Sequence, residues 1–518
     1  MKRRCWLAVI LLITCLCGSL SGPAAVQAQP DTKTLLLYDS LAVDTPKEGN
    51  VEELQRLLAA FGAQVTVMNL DHYTADTLSG YDRVIYVKNA PDLYDINKDF
   101  LKDMAAYTGD YLHIGTHLPE RVQQQLHTVT AVIPDAAVTI TADAWSSAPT
   151  RVPSLPVITS YQGQPYGAVQ LYHGSHAAPF GVIHGRQGYV PYYVKGNASE
   201  LALSSLLKDW LGVQKPGNLY LVIRGIYPFS DLEKLKALAD RLYGAGIPFV
   251  VSVQPVFEHT DYPAMLRYLQ AMQYVQARNG SIVINTPVVA DTISQDKTVL
   301  KREMSSFIDV LAQHKIVPLG IGAELYWSYD HLYSAEGMAF FDSSLLYPNE
   351  KIMYRDRSPQ SKVFVSSPFT VTIRQLQEYV RHKKTADTLP VDLAVTLNFE
   401  ADSVHLDEEV AWLEAQWLVF ADYKQEEHQV KNDHVLLQSR GGILKMNGQS
   451  LTQNSTLLSG TSGAAEADYA YTKQARQSLS GLFRVQNNIF VAIIGVTLLV
   501  FGLFLIIGYR LYKRKYYK

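Results

Sequence analysis

The sequence predicts an α/β protein built as an open, doubly wound sheet over residues 31–215, followed by a (β/α) barrel over residues 216–450. Three observations lead there. Apolar runs of strand length alternate with helix-period segments about every 30 residues. A breaker, Lys215-Pro-Gly217, divides the chain into two such series. From Asn218 onward strand and helix alternate with no long β-only interval before the barrel series ends.

In the first series Thr34 to Tyr38 is a strand, and Val51, Leu54, Leu57, Leu58 and Phe61 keep helical spacing up to Gly62. Strands follow at 64–68, 82–87 and 111–114, with a helix at 100–107. The order βαββαβ is that of a flavodoxin-like sheet and resembles the glutamine amidotransferase fold. Amidotransferase activity is excluded, because no cysteine stands at the elbow. Gly115-Thr-His117 in that place lacks the Gly-x-Ser-x-Gly pattern of a serine nucleophile. No nucleotide-binding glycine motif is present. Residues 137–194 turn β-rich, and 201–211 form a closing helix. His173, His176 and His184 lie in a Gly-containing turn without an acidic partner, which reads as loop polarity rather than a metal cluster.

The second series opens with Leu219-Tyr-Leu-Val-Ile, stops at Arg224-Gly225, and turns through Tyr227-Pro-Phe. Ser230 with Glu233 three residues on is a capping-box pattern. Leu235, Leu238, Ala239 and Leu242 form the helix, which Gly244 and Gly246 stop. Strands are expected at 247–253, 281–284, 316–321, 362–366 and 391–397. The intervening helices fall near 265–272, 299–311 and 373–379, with a last one at 406–418. A hairpin around Arg440-Gly-Gly442 ends the domain.

These residues carry a resemblance. Leu-Tyr-Leu-x-Ile with Tyr-Pro-Phe-Ser-Asp, then Ala-Asp-Arg-Leu-Tyr-Gly-Ala-Gly-Ile-Pro-Phe, then the strand after Asn279-Gly280, are similar to the YdaL-type branch of the polysaccharide deacetylase (NodB-like) superfamily. That branch is discussed with exopolysaccharide operons. The resemblance implies a deacetylase-like barrel with an acidic residue ending the first strand and His-x-x-x-His ending the third, together holding a divalent metal such as zinc. Here Arg224 and Gly225 stand at the first place, Asn285 and Val289 at the second. Glycine and valine have no donor atom and asparagine is a weak neutral one, so the expected zinc site is degenerate. The expectation is therefore no catalytic residue and no cofactor.

The two ends carry membrane signals. Lys2, Arg3 and Arg4 precede an apolar run containing Cys5, Cys15 and Cys17, and Val26-Gln-Ala28 offers a cleavage site; residues 1–28 read as a secretory signal. The three cysteines all fall there, which leaves no cysteine nucleophile in the mature protein. Residues 489–507 are uncharged and long enough to span a bilayer, and five basic residues follow. The expected order is a flexible stalk at 451–486, a transmembrane helix at 487–509 and a basic cytoplasmic tail at 510–518, with the body extracellular and held to the lipid bilayer. Eight basic residues at the two ends, against a net charge of −3, leave the middle near −11. An acidic body argues against nucleic-acid binding.

If the barrel strands end at one mouth, it gathers Arg224, Glu258, His259, Asn285, Glu324, Tyr326, Trp327, Asn398 and Glu400. One reading is a groove whose aromatic rings stack on sugars; another is Arg224 paired with Glu258 or Glu324 as filling. Glu258 with Glu324 would be the carboxylate pair for glycoside hydrolysis. The function expected from the resemblance is non-catalytic: assistance to exopolysaccharide synthesis, modification or export, through binding of the polysaccharide or of membrane-bound synthesis and export proteins. The alternative is an active metal-dependent deacetylase, a hydrolase, with relocated ligands.

Overall fold

The computed structural model describes residues 32–90, 97–142, 145–171, 177–287, 297–380, 388–400 and 403–451. The expected signal, His173, His176, Val289, the stalk beyond Leu451, the transmembrane helix and the basic tail lie outside them. No helix among the described residues is long and apolar enough to cross a membrane.

The first half is a sheet with helices against it. Its elements are β1 (Lys33–Tyr38), α1 (Asn50–Ala60), β2 (Gln64–Asn69), β3 (Arg83–Lys88), α2 (Lys98–Ala106), β4 (Asp110–Gly115) and α3 (Glu120–Leu126). Strands β5 (Val129–Ala142), β6 (Trp145–Ser146), β7 (Thr150–Ser160), β8 (Gln164–Leu171), β9 (Ala177–His184) and β10 (Gln187–Val190) follow, then α4 (Ser199–Leu211). The sheet runs β2-β1-β3-β4-β10 in parallel, a doubly wound order, and continues antiparallel through β9, β8 and β5. The β-rich stretch is thus an antiparallel extension of the same sheet, inserted between its fourth and fifth parallel strands. Strands β1, β2 and β3 are buried at five of six positions each, as parallel strands covered on both faces should be.

The second half is a closed, all-parallel barrel of seven strands. These are β11 (Leu219–Ile226), β12 (Phe249–Val253), β13 (Gly280–Asn285), β14 (Pro318–Glu324), β15 (Ser344–Tyr347), β16 (Phe369–Thr372) and β17 (Leu393–Asn398). Helices α5 (Leu232–Gly244), α6 (Pro263–Ala277) and α7 (Lys297–Gln313) follow the first three strands. A short α8 (Tyr326–Tyr329) follows β14, α9 (Ile373–Val380) follows β16, and α10 (Ser403–Ala415) follows β17. Helix α5 starts one residue later than the capping-box pattern implies. Asp231 is its cap, accepting from Lys234 N (3.0 Å), while Ser230 Oγ accepts from Tyr227 N (3.0 Å). The strand expected at 362–366 is not one. Val363 and Val365 are exposed there, and the ring is instead completed by β15 and β16 on either side. The terminal hairpin is part of a four-stranded sheet, β18 (His428–Lys431), β19 (Leu436–Arg440), β20 (Ile443–Met446) and β21 (Gln449–Ser450). Its buried His428 bonds Ser343 Oγ (2.9 Å) and the Tyr423 carbonyl (2.7 Å), and burial lowers its pKa to about 4.

Sheet and barrel pack as one unit along a polar seam. The edge strand β2 is covered by the connector between β15 and β16. Ser358 N donates to Val67 O and Ser361 N to Val65 O (both 2.8 Å), and Asn69 N donates to Asp356 O (3.0 Å). The serine hydroxyls accept in return from Val67 N (2.8 Å) and Val65 N (3.0 Å). An edge that would otherwise offer open N–H groups is thereby closed. Beside it Arg56 of α1, paired with Glu53 at 2.5 Å, donates to Thr370 O (2.7 Å) and Thr370 Oγ1 (2.5 Å) of β16. Glu200 of α4 is fully buried and accepts from Tyr379 of α9; burial and the nearby Glu53 push its carboxyl well above the usual range.

Arg56→Ala is expected to lower unfolding stability by about 3–5 kcal/mol, because it strands the buried Glu53 carboxylate without its partner. Denaturant unfolding measures this; a loss under about 1 kcal/mol would show that the seam tolerates an open charge.

Candidate functional site

The C-terminal ends of the barrel strands surround a cavity of about 1010 Å³. In a closed barrel this edge is where side chains from many strands converge on open space. Arg224 and Gly225 come from β11, Asn285 from β13, Glu324 from β14, Tyr347 from β15, Thr372 from β16 and Asn398 from β17.

Arg224 is aimed by a local irregularity. The pairing of β11 with β12 shifts register between Ile223 and Ile226, and Gly225 takes φ +78° inside that bulge. A Cβ there would stand 2.9 Å from Asn398 Oδ1, so glycine is required both by the backbone and by the adjoining strand. The Arg224 guanidinium lies over the Tyr347 ring, 3.5 Å from its centroid. Its Nε is buried without a hydrogen-bond partner, and among the described residues its side chain makes no ion pair. The expected pairing with Glu258 or Glu324 is therefore not formed.

Beneath Arg224 a chain of hydroxyls orders Asn285. Tyr347 Oη donates to Ser252 Oγ (3.1 Å), and Ser252 Oγ donates to Asn285 Oδ1. Asn285 lines the cavity with its oxygen held by Ser252. Gly322 makes this convergence possible: a Cβ there would meet Asn285 Oδ1 at 2.5 Å, Ser252 Oγ at 2.8 Å and the Tyr347 ring at 2.9 Å.

The rim is acidic and aromatic. Glu324 accepts from Glu350 N (3.3 Å); burial pushes its carboxyl up, and the Arg224 charge opposes that rise. Glu400 N donates to Asn398 Oδ1 (3.1 Å). His405 pairs with Glu409 at 3.2 Å on α10. Tyr326 and Tyr227 line the wall. The rim is tied to the sheet, since Asn349 N donates to Glu52 Oε1 of α1 (2.7 Å) and Asn349 Oδ1 accepts from Tyr326 N (2.9 Å).

The structure brings together Arg224, Gly225, Asn285, Glu324, Tyr326, Asn398 and Glu400 as the sequence places them. Three others stand differently. Trp327 does line the cavity, but it is 1% exposed and stacks on Tyr333 (4.4 Å), which leaves little of its ring open to a ligand. Glu258 and His259 are exposed beyond β12 and do not line the cavity; His259 stacks on Tyr262 (4.5 Å). The carboxylate pair of Glu258 with Glu324 does not face one space. Residues the sequence reading passes over are Tyr227, Gln254, Ser252, Tyr347, Asn349 and Glu350. The apolar run ending in Tyr347 was the available signal.

A divalent metal does not fit this floor. Among the described residues no group of three His, Cys, Asp or Glu side chains could hold one. Of the positions that the resemblance assigns to ligands, Arg224 carries a guanidinium, Gly225 has no side-chain donor and Asn285 offers a weak neutral amide, while Val289 lies outside the described residues.

No family model matches the chain, and no curated protein matches it. Among solved structures, a peptidoglycan N-acetylglucosamine deacetylase in complex with a hydroxamate-type benzamide aligns at 10% identity and TM-score 0.25, covering 40% of this chain and 86% of its own. The mitochondrial 2-enoyl thioester reductase heterodimer of Candida tropicalis aligns at 10% identity and TM-score 0.13, covering 56% of this chain and 82% of its own. Likenesses at these scores carry no argument about activity.

Gly322→Ala is expected to destabilise the protein by about 1–3 kcal/mol through overpacking against Ser252, Asn285 and Tyr347. Thermal or denaturant unfolding reads it, and a change within about 0.5 kcal/mol would mean that the cluster has room to move.

Proposed function

We propose that the barrel mouth binds a carbohydrate chain and that the protein serves an extracellular polysaccharide as a binding partner rather than as a metal hydrolase. The observation that supports this reading most is the composition of the cavity. It is open and large enough for several sugar rings. Its walls combine the half-buried Tyr227 and Tyr326 with amide and carboxylate groups from Asn285, Asn398, Glu324 and Glu400. Such a mixture suits ligands that stack through C–H faces and bond through hydroxyls.

The resemblance of the Asn218 to Glu400 stretch to polysaccharide deacetylases supports carbohydrate as the ligand class and assistance to synthesis, modification or export as the role. The reading places the body outside the cell, anchored by residues 487–509 after removal of the signal, where polysaccharide and membrane-bound export proteins would be its partners. The first half, flavodoxin-like in strand order, serves in this reading as a brace for the mouth through Glu52 and Asn349.

Isothermal titration of the full-length protein with soluble N-acetylglucosamine and glucosamine oligomers tests the reading. Saturable binding is expected with at least one series, weakened about tenfold or more, or by about 1.4 kcal/mol, in Tyr326→Ala. Binding that is unaffected by Tyr326→Ala and Tyr227→Ala would remove the mouth as its location.

A further inference from the structure

We propose that the floor of the barrel mouth holds the carboxylate of an acidic sugar residue, seated between the Arg224 guanidinium and the Asn285 amide. This rests on the carbohydrate reading and names the class of sugar within it.

The first ground is Arg224. A guanidinium brings five N–H donors in a planar fork and stays charged at any physiological pH. Here it is half-buried, its Nε lies buried without a partner, and no carboxylate among the described residues pairs with it. A charged fork that lines the cavity with no carboxylate beside it among the described residues is placed to take an acceptor from outside the chain. The Tyr347 ring beneath the guanidinium fixes the plane of the fork, which removes much of the ordering cost of receiving a ligand.

The second ground is independent of the arginine. Asn285 is held through its oxygen by the Tyr347–Ser252 relay, and it lines the same space as Arg224. Its amide carries Nδ2–H donors that can serve an acceptor there. Two donor groups facing one cavity match an acceptor-only partner with two oxygens in a plane, which is a carboxylate.

The acidic rim narrows the choice further. Glu324, Glu350, Glu400 and Glu409 line the same cavity, with Lys351 as the one lysine among the described residues that line it. A phosphate dianion or a densely charged polyanion would meet repulsion from these groups. A single carboxylate reaching the floor meets Arg224 first, while neighbouring sugar hydroxyls donate to the rim carboxylates. The ligand that fits both tiers is a sugar chain with a carboxylate on a ring otherwise rich in hydroxyls, a hexuronate.

The test is calorimetric titration of the full-length protein with a trisaccharide that carries a single glucuronate and is otherwise neutral, and with the same trimer after reduction of its carboxyl to an alcohol. The expected result is binding of the acidic trimer at least tenfold tighter than the neutral one, with that preference abolished in Arg224→Gln. Arg224→Lys, which keeps charge and stem but not the fork, should retain only part of it, and its melting temperature serves as the check on folding. Equal affinity of wild type for both trimers would overturn the carboxylate inference and leave carbohydrate binding standing. Failure of both trimers and of the amino-sugar oligomers to bind would overturn both. An acidic preference that survives in Arg224→Gln would place the carboxylate elsewhere and overturn the assignment to this floor.

Discussion

The hydrogen-bonded closure of the β2 edge by residues 356–361 is the constraint on which the rest depends. It answers two problems at once. An edge strand with open N–H and C=O groups invites association with other chains, and a 21-residue connector between two barrel strands has little internal structure to order it. Pairing one with the other satisfies Val65, Val67 and Asn69 and pins the connector. The residues just before the pinned stretch, Asn349, Glu350, Lys351 and Met353, are then held as one wall of the cavity. Glu52 and Arg56, one helical turn apart on α1, reach the connector and β16 respectively, so a single helix of the sheet domain braces both.

Inside the barrel the same economy of contacts decides what the mouth presents. Tyr347 is buried, yet it acts at three places: its ring carries Arg224, its hydroxyl starts the relay to Asn285, and its main-chain carbonyl accepts from Leu325 N (2.9 Å) at the head of α8. Gly322 gives it the space, and the bulge at Gly225 turns Arg224 onto it. The result is a guanidinium at the floor under a rim of carboxylates, and that positive charge disfavours a cation beside it.

Much of this was legible in the sequence where the periodicity was clean. Strands β1 to β4 and β11 to β14 are apolar runs with breakers beside them, and the helices between them keep an i, i+3, i+4 apolar spacing. Strands β15 and β16 have four residues each and no flanking helix pattern between them, so their place was given instead to 362–366, whose valines face solvent. Missing β15 hid Tyr347, and with it the ring on which the Arg224 guanidinium rests. Trp327 lay in the right element, but its burial is decided by Tyr333 and by the close approach of Gly337, contacts that no local pattern encodes. Glu258 and His259 follow β12 closely, but the left-handed turn at His259 (φ 56°) and its stacking on Tyr262 belong to an exposed loop.

A barrel mouth with Arg224 at its floor that serves a ligand acceptor should not hold a divalent metal. The most direct measurement is the zinc and cobalt stoichiometry and affinity of the purified full-length protein after chelator treatment. The account predicts no stoichiometric tight binding of either ion. One ion bound tightly per chain, and lost on replacement of residues around the mouth such as Glu324, His405 or Glu409, would contradict it and restore the hydrolase with relocated ligands.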